Sequence, residues 1–194
     1  TGIYYTASMS AQILTPIISG ALMDAIDMKV LFLDIDGVLN SELWFTWGHY
    51  CITHDMKDKI FSGETEDERY VDHMIDERLI ANVNRIVEST GCEIVLSSSW
   101  RSRHKTENDK LNSQLKRKGL IKEFFDVTPR LSSGIRGEEI KKWLEDNCAK
   151  HEIKSYCIID DDSDMLDYQK EFFIQTDSYI GITNADADKA TEIL

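Results

Sequence analysis

Three short words in this 194-residue chain combine oxygen-bearing side chains in ways that suit phosphoryl-group chemistry. The first is Asp34-Ile-Asp36-Gly37, directly after the apolar run Val30-Leu-Phe-Leu33. Two carboxylates two positions apart, just past a strand, can both turn into a crevice, and Gly37 lets the backbone bend sharply there. The second is Ser97-Ser98-Ser99-Trp100-Arg101. Hydroxyls at a strand end can grip a phosphate oxygen, and Arg101 can add a planar fork of donors. The third is Asp160-Asp161-Asp162-Ser163-Asp164. That many acids repel one another unless a cation neutralises them, and ligands that are all oxygen suit magnesium, a hard octahedral ion. Asp-x-Asp-Gly also opens calcium loops, but the further acids and the closing Glu of an EF-hand are absent. Singly, each word has a plainer reading: an acid run after a strand is often a helix N-terminus, and a serine run a cap. Their occurrence at successive strand ends favours the chemical reading.

Those words need elements that bring them together. Residues 29–33 read as a buried parallel strand. Residues 76–90 read as a helix with Leu79, Ile80, Val83, Ile86 and Val87 on one face and Gly91 as its stop. Residues 93–96 follow as a second strand. A helix at 108–118, with Leu111 and Leu115 inward and Gly119 as C-cap, leads to a third strand at 124–128. A helix at 137–147 presents Ile140, Trp143 and Leu144. A fourth strand is expected at 156–159, a fifth at 172–175 and a last helix at 185–194. Strands alternating with helices of this length predict an α/β fold, an open parallel sheet of about five strands flanked by helices. In such sheets the chemistry sits beyond the carboxyl ends of the strands.

The bulk composition, 42% hydrophobic and 29% charged, fits one soluble domain large enough to bury a core without staples. Cys51, Cys92, Cys148 and Cys157 form no C-x-x-C pair, and structural thiols in a reduced, cytoplasmic setting are the expectation. Cys51 and His54 have ligand-like spacing, but no second pair completes a zinc site. The net charge of −13 argues against coating nucleic acid by electrostatics alone. The charge is uneven, however: from Arg101 to Lys142 there are twelve Lys or Arg against six Asp or Glu. That stretch could face a phosphate-bearing ligand, although charge runs are usually solvated helix faces. Thr1 to Met23 carries no charge, yet is poor in strong apolar residues and lacks the basic lead of a signal peptide. Residues 1–27 are therefore read as an appendage or helix of unassigned role, and residues 28–194 as the working domain, with no stable membrane association.

The wording Phe32-Leu-Asp-Ile-Asp-Gly-Val-Leu-Asn-Ser41, Ile94-Val-Leu-Ser-Ser-Ser-Trp-Arg101, Arg136-Gly-Glu-Glu-Ile-Lys-Lys-Trp-Leu144 and Ile158-Ile-Asp-Asp-Asp-Ser-Asp-Met165 resembles the haloacid-dehalogenase-like (HAD) superfamily of phosphohydrolases. Within it, the Ser-Ser-Trp-Arg word resembles the HAD domains associated with RNA-repair proteins. The resemblance runs from about Met28 to the C-terminus and implies a Rossmannoid sheet. It implies Asp34 as nucleophile and Asp36 as acid/base. It implies Ser97 or Ser98 as the phosphate-binding hydroxyl, with Arg101 close by. Arg136 would be the cation that steadies the phosphoryl group, with Lys141 and Lys142 as alternatives. Asp160 and Asp161, with Asp164 as a further acid, would hold Mg2+ together with Asp34 and Asp36. The family's cap would be inserted after the first strand, and residues 41–75 are too few for a large one.

The resemblance implies an aspartyl-phosphate mechanism. A dehalogenase has no need of the second acid, so Asp36 favours phosphoryl transfer. Three readings of function follow: a phosphatase of a nucleic-acid end, RNA or DNA, bearing a 3′-phosphate; a phosphatase of a nucleotide or other small phosphoester; and a catalytically silent module. The open site implied by a small insert suits the first. The sequence does not specify oligomeric state.

Overall fold

The apolar run at residues 28–33 contains no glycine or proline and one charge near its start, the pattern of a strand covered on both faces. In the computed structural model, which describes residues 28–46 and 74–194, this run is β1, Met28–Leu33. It lies at the centre of a five-stranded, all-parallel open sheet of order β3-β2-β1-β4-β5. The other strands are β2, Glu93–Leu96; β3, Phe124–Val127; β4, Ile153–Asp160; and β5, Phe173–Gln175. Helices α1, Glu77–Thr90; α2, Lys105–Arg117; α3, Arg136–His151; and α4, Asn184–Ile193 flank it. A 3-10 helix, Asp167–Phe172, joins β4 to β5. This is the expected α/β Rossmannoid architecture. The expectations for residues 1–27 and for the absence of a large cap fall outside the described residues.

Alternation along β1 divides the core in two. Leu31 and Leu33 join a larger cluster with Ile80, Val83, Ile86 and Leu115, while Val30 and Phe32 join Ile140, Trp143 and Ile158 on the other face. Each such side chain, fully buried, contributes roughly 1.5–3 kcal/mol. The Phe32 and Trp143 rings meet edge to face with centroids 5.3 Å apart, which locks α3 against the middle of the sheet. Among the described residues, Cys92, Cys148 and Cys157 are free thiols, and no helix is long and apolar enough to cross a membrane.

Helix ends follow their caps where caps exist. Asp76 accepts a hydrogen bond from the Arg78 amide at the start of α1, and Gly91 closes it in the left-handed conformation. The helices α2 and α3 start earlier than the sequence suggests. Their N-cap residues, His104 and Ile135, make no side-chain capping bond, so the sequence carries no start signal there. At the end of α2, Lys118 is the cap and Gly119 follows it with φ of 101°.

The parallel ladder continues one residue beyond the strands. Asp34 N–H donates to Ile159 O (3.0 Å), Ser97 N–H to Leu33 O (2.8 Å), Thr128 N–H to Leu96 O (3.0 Å) and Thr176 N–H to Asp160 O (3.0 Å). These bonds set Asp34, Ser97, Thr128, Asp160 and Thr176 in a row along the carboxyl edge of the sheet.

Candidate active site

The turn after β1 is built to present two carboxylates differently. The amides of Val38, Leu39 and Asn40 all donate to Ile35 O, so the chain coils tightly behind Asp36. Gly37 takes φ of 65°, and its amide donates to Asn40 Oδ1 (2.8 Å). A methyl group at Gly37 would overlap the Asp161 side chain, so two strand-end loops touch where only a glycine fits. Thr176 Oγ1 adds a bond to Gly37 O (2.9 Å), tying this turn to the end of β5.

Asp36 is saturated with donors. Asn40 Nδ2 (3.0 Å) and Trp100 Nε1 (2.9 Å) donate to its Oδ1, and Ser99 Oγ donates to its Oδ2 (2.9 Å). Asp34 is the opposite case. It is buried, and its Oδ1 has no hydrogen-bond partner. Its nearest cation is Arg136, whose Nη2 stands 3.7 Å away. Burial pushes the Asp34 carboxyl up to about 6, against the pull of the Ser98 hydroxyl and Arg136.

Asp160 ends β4 beside it. Its Oδ2 accepts from Arg136 Nε (3.1 Å) and its Oδ1 from the Asp162 amide (3.0 Å). Burial, and then the Asp34 charge, push this carboxyl up to about 8. Asp161 is raised as well, by burial and by Asp162. Oxygens of Asp34, Asp160 and Asp161 all lie within 4.8 Å of one another. These residues fit a hard divalent cation: three carboxylates, one orphaned oxygen, and repulsion that a double positive charge would remove.

Arg136, the first residue of α3, spans the cluster. Besides Asp34 and Asp160 it faces Glu139, with Nη1 to Oε2 at 3.5 Å. Lys141 and Lys142 lie further along α3 and pair with Glu145 and Asp146 on its outer side, away from the carboxylates. Asp164 holds the start of α3: its Oδ2 accepts from the Arg136 amide (2.8 Å), and it lies outside the carboxylate triad, as does Asp36.

The serine run divides by position. Ser97 is buried and its Oγ faces Thr128 Oγ1 at 3.4 Å. Ser98 is the hydroxyl that acts on Asp34 and also accepts from the Trp100 amide (3.2 Å). Arg101 turns under the floor of the crevice. It forms a buried ion pair with Glu139, donates to Thr128 O (2.9 Å) and to Ser98 O, and burial draws its guanidinium below the ordinary range. Its donors are thereby committed to the protein.

Asn40, Ser99, Trp100, Glu139 and Thr176 belong to the site yet were not singled out from sequence. Ser99 and Trp100 lie inside the second word, and Asn40 and Glu139 inside the wording that carries the family resemblance. Glu139 and Thr176 act through partners far along the chain, Arg101 and Gly37, whereas Asn40 acts within its own turn, on Asp36 and Gly37.

One family model, described as the HAD domain in Swiss Army Knife RNA repair proteins, matches residues 30–187, a stretch that contains every side chain of this crevice. No curated protein and no solved structure matches the chain.

Proposed function

The chain belongs to the family of HAD domains in Swiss Army Knife RNA repair proteins, and from that membership we propose a magnesium-dependent phosphomonoesterase that acts through an aspartyl phosphate on a nucleic-acid end bearing a 3′-phosphate. The family supports hydrolase chemistry of the phosphatase kind. The working unit in this reading is residues 28–194. One observation carries it: the buried Asp34 carboxylate keeps an oxygen without a hydrogen bond while Arg136, Asp160 and Asp161 converge on it.

In this mechanism the Asp34 oxygen attacks phosphorus, the bond to the leaving oxygen breaks, and an aspartyl phosphate forms. Arg136 lies against both Asp34 and Asp160, where it balances charge spreading over the phosphoryl oxygens. In this reading the Ser98 hydroxyl, which acts on Asp34, holds one of those oxygens, while Ser97 faces Thr128. Mg2+ held by Asp34, Asp160 and Asp161 supplies, when bound, the screening that lets an anion approach a dianion. Asp36 protonates the leaving alkoxide and then takes a proton from the water that hydrolyses the intermediate. Its shell suits both roles. Of its three donors, Ser99 Oγ is a hydroxyl that can turn and accept, so a proton on Asp36 leaves no donor stranded. Arg101 and Glu139 act from beneath, fixing the loop of Ser98 relative to α3.

The test is phosphate release from a 3′-phosphorylated oligonucleotide and from a chromogenic phosphoester. Both should turn over with magnesium or manganese and stop with a chelator, and calcium should substitute poorly. Short single strands should compete against the chromogenic ester. Full activity in excess chelator would rule the mechanism out, and failure to compete would move the substrate to a small phosphoester.

A further inference from the structure

Among the described residues, many cations are balanced where they stand. Lys105 pairs with Asp109, Lys116 with Glu123, Lys142 with Asp146 and Lys170 with Asp167. Two arginines beside the crevice differ. Arg103 is exposed and has no acidic partner among the described residues. Arg130 is exposed too, and is pinned by backbone: its Nη2 donates to Ser99 O (2.6 Å) and Arg101 O (2.8 Å). Those two carbonyls belong to the loop that carries Ser98, so Arg130 is held at a fixed place relative to the predicted nucleophile. Among the described residues, no acidic side chain takes up its charge.

Both arginines line a groove of about 350 Å³ that opens from Arg136 and Gly134 and has Ser99 in its wall. A second depression of about 550 Å³ continues past the same Ser99, Arg103 and Arg130 toward Trp100 and His104. A mononucleotide phosphate held at Asp34 and Arg136 would leave the outer part empty. A strand would lay its next phosphate along the Arg103–Arg130 wall. The acids that line the same groove are Glu139, Asp162 and Asp164; Glu139 is paired with Arg101 and Arg136, and Asp164 is engaged by the Arg136 amide. An anion is therefore driven to the arginine side. The guanidinium fork matches phosphate oxygens in pairs, which lysine does not.

We propose that Arg103 and Arg130 form a second phosphate subsite, which takes the backbone phosphate next to the terminal one and selects a single-stranded nucleic acid over a mononucleotide. The proposal rests on the crevice being the phosphatase centre, and its own test does not need turnover. Binding of a fluorescent single-stranded, 3′-phosphorylated oligonucleotide is followed by anisotropy at several salt concentrations, in chelator. Arg103→Gln with Arg130→Gln should weaken binding about tenfold at low salt and flatten the log–log salt slope by about 1.4 for two lost contacts. Arg103→Gln alone, an exposed change that touches no fold contact, should give about half that flattening. Lys141→Gln with Lys142→Gln, on the outer side of α3, should leave binding as it is. Equal binding by the arginine variants and the wild type would overturn the subsite, as would a wild type that does not bind. Displacement by polyglutamate at equal charge would also overturn it, since any polyanion would then suffice. Turnover of a chromogenic ester by the wild type is read separately: its absence sinks the phosphatase reading and leaves the binding result standing.

Discussion

Two charged clusters lie a few residues apart under the same crevice and are built on opposite rules. In the lower one, Arg101 is buried with Glu139 at one end of its fork and the carbonyls of Ser98 and Thr128 at the other. Every charge has a partner. In the upper one, Asp34, Asp160 and Asp161 face one another with Arg136 as the one cation among the described residues that pairs with them, and an oxygen of Asp34 bonds to nothing. A satisfied cluster fixes geometry. An unsatisfied one stores unfavourable energy that a cation or a phosphoryl group can relieve. Held together, they give a rigid floor beneath a reactive surface.

The strongest way to break this contrast is to neutralise the upper cluster. Asp34→Asn should lower turnover at least about a thousandfold, roughly 4 kcal/mol of barrier. The same change should raise the unfolding midpoint in chelator, because one of three repelling charges is gone. Retention of a tenth of the wild-type rate would remove Asp34 from its role. The lower cluster should respond the other way. Arg101→Met leaves the buried Glu139 with Arg136, 3.5 Å away, as its remaining cation, and should cost up to about 3–5 kcal/mol of stability by denaturant unfolding. Adding Glu139→Leu should recover most of that loss, because replacing a whole buried pair by apolar groups is close to neutral. A single variant as stable as the wild type would mean that the floor is not what holds the loop.

A pH series sharpens the comparison further. Asp34 at about 6 and Asp160 at about 8 bind protons more tightly folded than unfolded, where a carboxyl sits near 3.8. Stability without metal should therefore fall as pH rises from about 4 to about 8 and level off above. Magnesium should stabilise most at the alkaline end, where protons no longer compete for its ligands. Thermal midpoints with chelator and with magnesium read both, and a metal-free midpoint that climbs over this range would contradict the charge assignment. The smallest effect concerns Asp36, the saturated member of the proposed catalytic pair. Ser99→Ala removes one of its three donors and should slow turnover about fivefold, the worth of roughly one hydrogen bond, with little change in stability.

The strands and the three chemical words were legible because both are local. Apolar runs announce strands, and Asp34, Ser97 to Ser99 and Asp160 follow them directly. Arg101 shows the boundary of that reading. Its place after β2 suggested a phosphate contact, but its direction is set by Glu139 on α3, a pairing no spacing reveals. Glu139 stands next to Glu138 and carries no local sign that it, unlike its neighbour, is buried. Asn40 and Trp100 meet Asp36 only because the turn after β1 coils back and the β2 loop arrives beside it. The basic stretch was legible as composition, but not its division: Lys105 is neutralised within α2, while Arg130, from the loop after β3, comes to the crevice.

The central position of β1 has a consequence for how the molecule is made. Leu33 lies between Leu96 on one side and Ile159 on the other, so the first strand gains its second neighbour from the distant part of the chain. During synthesis Asp34 leaves the ribosome long before Asp160 exists. The β1–β2 half can assemble early, but closing the loop to β4 is a late event of high sequence separation. The repelling carboxylates are thus brought together by the last strands to dock, when most of the hydrophobic core is already there to restrain them. A nascent chain halted before β4 carries Asp34 at the end of an edge strand, without Asp160 and Asp161 beside it.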